Sequence, residues 1–237
     1  MRSDWLSTRS VAGRACLLTL GWMVITAALF GLGQLVVHTL AITDFDRRVT
    51  AWVVDRRSPP LDTAMRVVTW IGSWAAVAVV AGVVLVLRMS ERATTAALFL
   101  VGITWAGEYA MVNLVKLAVA RPRPPRTLWL VTAHGASFPS GHAATATLVC
   151  TAATVIVFLS SKRRTVHVAT VALATLGIVG VAFSRIELGV HWTTDVLAGC
   201  LATLTWLAAI ATLFAAATPL SAPGAGAVGP APHGTAV

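Results

Sequence analysis

His191 and Asp195 are four residues apart, and this spacing is the feature of the sequence that bears most directly on chemistry. Residues at positions i and i+4 of a helix are neighbours on one face. Asp195 would then hold one imidazole nitrogen of His191 protonated and direct the other nitrogen outward. A histidine held in this way is a nucleophile, so the pair is typical of enzymes that form a phosphohistidine.

Two basic residues upstream suit the binding of a phosphate group. Lys116 falls near the end of an apolar segment, where its charge is costly unless it reaches the interface or meets an anion. The prolines of the run Arg121-Pro122-Arg123-Pro124 disfavour helix, so the chain should turn here and present the planar guanidinium of Arg123 to phosphate oxygens. By themselves, Arg121, Arg123 and Arg126 would more readily form a basic, proline-stiffened loop at lipid headgroups.

The run Pro139-Ser140-Gly141-His142 comes directly before a long apolar segment. The free amide groups at the start of a helix point toward an anion, so this run predicts a phosphate-binding turn. Ser140 adds a hydroxyl donor, Gly141 allows a close backbone approach, and His142 is a candidate general acid. Without its neighbours, the same run could be a capped helix start with an interfacial histidine.

The three clusters together read Lys-x6-Arg-Pro, Pro-Ser-Gly-His and Ser-Arg-x5-His-x3-Asp, the last beginning at Ser184-Arg185. They resemble the tripartite signature of the type 2 phosphatidic acid phosphatase (PAP2) family, with every signature position filled. The resemblance implies metal-independent hydrolysis in which His191 attacks phosphorus, Asp195 orients it and His142 protonates the departing oxygen. It also implies that five residues grip the phosphoryl oxygens: Lys116, Arg123, Ser140, Gly141 and Arg185.

The composition places the chain in a lipid bilayer, since 57% of residues are hydrophobic, 11% are charged and the mean hydropathy is +0.80. Most of the long apolar stretches could cross a hydrocarbon core of roughly 30 Å as helices. We therefore expect an all-α, polytopic membrane bundle of about six transmembrane helices, forming one domain over residues 1–217. A disordered Pro/Gly/Ala-rich tail is expected at 218–237. The six stretches are 15–40, 69–87, 93–119, 143–159, 166–183 and 196–217.

The formal net charge of +9 does not indicate a nucleic-acid partner here, because the charges fall at the ends of the apolar stretches. With six spans, the segment 43–64, in which a short amphipathic helix is predicted, shares one side of the membrane with all three clusters. The basic residues divide almost equally between the two sides, so charge alone does not fix the orientation. The family resemblance implies a plasma-membrane protein whose active site faces the extracytoplasmic side. The oligomeric state stays open.

Glu108 is the one acidic residue in the middle of a predicted span, where a carboxylate is costly and suggests function or a buried partner. It is not a signature position, and we treat it as an accessory candidate. No acidic cluster suits a magnesium site, and three dispersed cysteines do not suit zinc, so we expect neither a metal nor a cofactor.

The sequence is compatible with several functions. The first is hydrolysis of a lipid phosphate or diphosphate, such as an isoprenyl diphosphate, undecaprenyl diphosphate included, or a phosphatidate-like lipid. A phosphotransferase or a non-catalytic lipid-phosphate binder could use the same scaffold, although the complete His142, His191 and Asp195 set disfavours the binder. Vanadium haloperoxidases share the signature but are soluble, and the hydropathy of this chain argues against them.

Overall fold

The computed structural model describes residues 3–90 and 95–215, and throughout these residues the regular structure is helical. The predicted tail at 218–237 lies outside the described residues. Short 3₁₀ turns follow α3 at Thr69–Gly72 and precede α6 at Arg126–Leu128. The helices are α1 (Ser3–His38), α2 (Leu40–Val54), α3 (Pro59–Val68), α4 (Trp74–Met89), α5 (Thr95–Val119), α6 (Gly141–Ser160), α7 (Arg164–Glu187) and α8 (Thr193–Ala215).

Several of these helices are long and apolar enough to cross a membrane, so the chain is a multi-pass membrane protein. Within the described residues, four qualify alone: Ala15–His38 of α1, and Gly141–Ser160, Arg164–Glu187 and Thr193–Thr212 of α6 to α8. Pro59–Gly72 and Trp74–Met89 qualify as a pair bent by 47°, which makes up to five spans. The all-α membrane bundle is therefore confirmed, whereas the predicted number of six spans is not.

Helix α6 lies at the centre of the bundle, where it packs most extensively against α7 and α8. Its first turns are rich in alanine, and Ala143, Ala144 and Ala146 are fully buried. Small side chains let helix backbones approach closely in membranes, where close packing helps to hold helices together. The signature residues of α6 are consequently enclosed by neighbouring helices.

The sequence predicts a short amphipathic helix within 43–64, and the structure has α2 there. Its buried residues are Asp46, Thr50 and Val53, whereas the apolar Phe45 and Trp52 are exposed. A buried carboxylate is stable only with a partner. Helix α2 therefore contributes a charged group to the interior as well as an apolar surface.

Candidate active site

His191 and Asp195 are brought together, although not on one helix face as the sequence predicts. Helix α7 ends at Glu187, Gly189 takes a positive φ of 74°, and α8 begins only at Thr193, so His191 lies in the connection. Asp195 is the third residue of α8 and accepts a hydrogen bond of 2.8 Å from the backbone N–H of Trp192. An acidic residue at this position commonly reaches back over the start of its helix. This reach places Asp195 Oδ2 3.5 Å from Nδ1 of His191.

The second imidazole nitrogen of His191 faces a guanidinium. Nη1 of Arg123 lies 3.1 Å from Nε2 of His191. A guanidinium can only donate, so Nε2 accepts from Arg123 and the proton of the neutral ring lies on Nδ1, on the side of Asp195. Backbone carbonyls fix Arg123 in turn, because Nη1 donates to Val190 at 2.6 Å and Nη2 donates to His134 at 2.8 Å. Nε2 is therefore directed toward the positively charged part of the site.

Burial keeps His191 neutral. The side chain is almost fully enclosed, and this desolvation lowers the pKa of His191 from 6.5 to about 3, although the Asp195 carboxylate acts in the opposite direction. Burial also lowers the pKa of Arg123, with Asp195 again acting in the opposite direction. A neutral imidazole is the form that can attack phosphorus, once a bound phosphate takes over the hydrogen bond that Arg123 donates to Nε2.

Lys116 and Arg185 complete a set of cations around the histidines. Nζ of Lys116 donates to the carbonyl of Ala136 at 2.8 Å, and Nη1 of Arg185 donates to Oγ1 of Thr69 at 2.8 Å. The Nε of Arg185 is buried and has no hydrogen-bond partner in the described part of the chain. Lys116 lines one cavity together with His142, and Arg123 contacts His191. The structure thus gathers three cations from α5, the following loop and α7 around one small volume.

The run from Ser140 to His142 forms the start of α6. Ser140 is the N-cap, and its Oγ accepts a long hydrogen bond of 3.5 Å from the backbone N–H of Ala143. The backbone N–H of Ser140 donates to the carbonyl of Asp195 at 2.9 Å, which ties this turn to α8. The first turn of a helix has amide groups without helical partners, and these suit an anion.

Two glycines, one in the turn before α4 and one in α8, approach this turn closely. A Cβ added to Gly199 of α8 would lie 2.5 Å from the carbonyl oxygen of Ser140. A Cβ added to Gly72, in the turn before α4, would lie 2.4 Å from the carbonyl oxygen of His142. Both distances are well below van der Waals contact, so both positions require glycine for the observed packing.

The structure adds a buried ion network that the sequence analysis missed. Arg121 donates to Asp195 Oδ1 at 2.6 Å and to Asp46 Oδ2 at 2.7 Å. Asp46 also accepts from the backbone N–H of Thr194 at 3.0 Å, and Ser137 donates a short hydrogen bond to Asp195 Oδ2. The sequence pattern indicates a basic loop at Arg121 and connects Asp195 with His191 alone. Asp195 instead shares its charge between the imidazole and a guanidinium.

Glu108 lies in the same region as the predicted site. It is 2% exposed and lines a cavity of about 130 Å³ together with Lys116, Gly141 and His142. Among the residues whose side chains the structure describes, none forms a hydrogen bond or an ion pair with its carboxyl group. The described part of the chain also holds no group of three or more His, Cys, Asp or Glu side chains placed to bind a metal ion.

Comparison with solved structures finds the same overall fold in other proteins. The chain is similar to a PAP2-type phosphatidylglycerolphosphate phosphatase from Bacillus subtilis, with 26% identity, a TM-score of 0.64, and coverage of 86% of this chain and 96% of that one. It shares its fold with LpxE from Aquifex aeolicus, at 21% identity and a TM-score of 0.54, over 69% of this chain and 93% of that one. No curated protein sequence matches significantly.

A profile of the PAP2 superfamily matches residues 95–219, which is more than half of the chain. The match includes every signature residue from Lys116 to Asp195. It begins in α5 and ends beyond the described residues of α8, so it covers the helices and loops that carry the three clusters. Family membership and the phosphatase among the similar structures support a phosphatase activity. This chain is a member of the PAP2 superfamily.

Proposed function

We propose that this protein hydrolyses a lipid phosphate or diphosphate through a phosphohistidine intermediate, without a metal ion. The observation that carries the proposal is the position of His191, with Asp195 beside Nδ1 and Arg123 beside Nε2. An imidazole placed between a carboxylate and a cation has a fixed tautomer, and its lone pair is directed to the place where phosphate oxygens would bind.

In the first half of the reaction, Nε2 of His191 attacks phosphorus and the bond to the leaving oxygen breaks. His142, on the first turn of α6, gives its proton to that oxygen. Lys116, Arg123 and Arg185, with Ser140 and the backbone at Gly141, hold the phosphoryl oxygens. Fixed cations and amide dipoles stabilise the charge that develops on these oxygens in the transition state. Electrostatic catalysis is most effective when such groups are already in place.

In the second half, His142 removes a proton from water, and the water oxygen attacks the phosphohistidine. The bond between phosphorus and Nε2 breaks, so inorganic phosphate leaves and His191 is restored. Asp195 stabilises the positive charge that develops on the imidazole during attack and keeps the ring oriented. The same site would act as a phosphotransferase if a lipid alcohol replaced water.

The lipid nature of the substrate is supported by the surroundings of the site. A second, almost wholly apolar groove of about 240 Å³ shares Val77 with the Glu108 cavity and continues between α4, α5 and α6. A hydrocarbon chain suits such a surface, because burying apolar groups in it costs nothing in hydrogen bonds. We further propose that the protein lies in the plasma membrane with the site on the extracytoplasmic side.

The test is an assay of the purified protein in detergent with a chelator present. A panel of lipid phosphates and diphosphates is offered, and both inorganic phosphate and phosphorylated lipid alcohols are measured. Release of phosphate without divalent metal is the expected result. Accumulation of a phosphorylated acceptor in place of phosphate would identify a phosphotransferase, and tight binding without turnover would contradict the proposal.

A further inference from the structure

We infer that Glu108 accepts a hydrogen bond from a hydroxyl group of the leaving alcohol, next to the scissile phosphate ester. The preferred substrate is then a lipid monophosphate that carries a hydroxyl on the neighbouring carbon, rather than a diphosphate. The inference rests on the proposed function and adds the chemical class of the leaving group to it.

The first support is the position of Glu108 along the axis of α5 relative to Lys116 and His142. A Cβ on Gly141 would lie 3.8 Å from Val112, so the start of α6 is level with Val112 of α5. Lys116 and Glu108 lie four residues to either side of Val112 on the same helix face, or ~6 Å along the axis in each direction. His142 is therefore flanked by the phosphate-binding Lys116 on one side and by Glu108 on the other.

This arrangement sets the direction in which the leaving group must lie. Because His142 protonates the departing oxygen, that oxygen is next to His142, and the phosphoryl group is toward the cations. The carbon atoms attached to the oxygen then extend away from the cations. Glu108 and Thr145 line this deeper part of the cavity, so a polar group on the leaving alcohol would reach them.

The second support is that the carboxyl group of Glu108 is available to accept a hydrogen bond from a ligand. Among the residues whose side chains the structure describes, none bonds to the Glu108 carboxyl group, and its oxygens are not among the fully enclosed polar atoms that lack a partner, so they face the cavity. A carboxyl group accepts a hydrogen bond in either protonation state, so a hydroxyl donor satisfies it in both. The cavity of about 130 Å³ has room for a small alcohol fragment beside the carboxyl group.

The third support is the charge of the cavity wall. Among the described residues that line it, Lys116 is the only Lys or Arg, and it lies at the phosphate end. The leaving group of a diphosphate is itself a phosphate ester, which would place its negative charge near Glu108 with no arginine or lysine there to offset it. The wall therefore disfavours a diphosphate and favours an uncharged polar leaving group.

The experiment compares three substrates with the full-length protein in detergent. They are oleoyl lysophosphatidate, which has a hydroxyl next to the phosphate-bearing carbon, its 2-deoxy analogue, and farnesyl diphosphate. For the wild type, kcat/KM should be about tenfold higher for the hydroxyl compound than for the deoxy compound, the effect of one ordinary hydrogen bond. It should also be higher than for farnesyl diphosphate.

Glu108→Leu should bring the hydroxyl-to-deoxy ratio close to one, and Glu108→Gln, which keeps a carbonyl acceptor, should retain part of the preference. Glu187→Gln is the matched control, because Glu187 is also a fully buried glutamate but does not line this cavity. Its ratio should equal that of the wild type. Each ratio is measured on one preparation, so a change in the folded fraction does not affect it.

Equal kcat/KM values of the wild type for the two monophosphates would overturn the inference and leave the proposed function intact. A preference that persists in Glu108→Leu would overturn the assignment to Glu108, and a wild-type preference for farnesyl diphosphate would overturn the substrate class. Failure of the wild type to release phosphate from all three compounds would instead count against the proposed function.

Discussion

Arg121 and Asp195 form a buried ion pair at 2.6 Å, which is closer than the 3.5 Å between Asp195 and His191. The same guanidinium binds Asp46 of α2 at 2.7 Å. Asp195, which orients the proposed nucleophile, is thus linked through Arg121 to Asp46, a residue of a helix that is distant in sequence. The position of His191 depends on a network of charges in which only Asp195 belongs to the family signature.

Replacing Arg121 with Met should destabilise the protein and slow turnover. The change leaves two buried carboxylates without their cation, and breaking a buried ion pair in this way typically costs about 3–5 kcal/mol. We expect a lower thermal unfolding midpoint in detergent, and a lower kcat with a smaller change in KM, since Arg121 acts through Asp195.

Two comparisons separate this role from a general effect of removing an arginine. Adding Asp46→Asn to Arg121→Met should recover part of the lost stability, because one unpaired carboxylate is then gone. Arg126→Met, at an exposed arginine of the same loop, should leave both midpoint and kcat near the wild type. An Arg121→Met protein that matched the wild type in both would disprove the role of the network.

Replacing His191 with Ala should reduce kcat by at least about a thousand-fold while the protein still folds, because a covalent nucleophile has no substitute. Phosphate release and the thermal unfolding midpoint are measured together. His134→Ala is the control, since His134 is exposed and only its backbone carbonyl contacts Arg123. Turnover near the wild-type rate in His191→Ala would remove the phosphohistidine mechanism.

Acid should destabilise the protein partly through His191. The pKa of His191 is about 3 in the folded chain, compared with the ordinary histidine pKa of 6.5 in the unfolded chain. Below pH 6.5 the unfolded chain therefore binds a proton that the folded chain does not. Stability is therefore lost as the pH falls, by about 2 kcal/mol between about pH 7.5 and about pH 5 from this group.

The measurement is the drop in unfolding midpoint between these two pH values. It should be smaller in His191→Gln than in the wild type, because the glutamine does not titrate. His134→Gln should show the full wild-type drop, since that side chain is exposed. Equal drops in all three proteins would show that His191 is not buried in the neutral form.

His142→Ala should affect substrates unequally. A positioned acid contributes about a hundred- to ten-thousand-fold, and less when the leaving group needs no proton. The loss of kcat/KM should therefore be larger for an alkyl phosphate than for an activated aryl phosphate. An equal loss on both substrates would mean that His142 binds phosphate or supports the fold and does not act as the acid.

The orientation in the membrane can be tested by thiol labelling of intact cells. In a variant without Cys16, Cys150 and Cys200, Thr132→Cys in the exposed loop before α6 should react with an impermeant reagent. Ser161→Cys, at the opposite end of α6, should not react. The reverse pattern would place the active site in the cytoplasm.

The sequence predicts most of the site because signature residues lie close together in each cluster and because hydropathy marks the helices. It fails where a contact joins distant segments. Asp46 and Arg121 are 75 residues apart, and neither spacing nor composition connects them. One signal was available, since Arg121 repeats the Arg-Pro pattern of Arg123 and a charged residue in so apolar a chain needs a partner.

The geometry predicted from the sequence for the contact between His191 and Asp195 was also wrong. The i and i+4 spacing predicted one continuous helix. The structure instead ends α7 at Glu187, turns the chain at Gly189 with its positive φ, and begins α8 after His191. Proximity results from a helix-start contact between Asp195 and the N–H of Trp192. The same spacing therefore gave the right pair for the wrong geometric reason.

The close approach of Gly72 and Gly199 to the first turn of α6 has a consequence for how this enzyme can vary. Neither residue carries a group that could bind phosphate, yet the backbone oxygens of Ser140 and His142 leave no room for a single methyl group at either position. A survey of tolerated substitutions would therefore rank two chemically inert residues beside the catalytic ones. Some positions of this protein are therefore intolerant to mutation because two backbones lie close together there, and not because the residue takes part in the reaction.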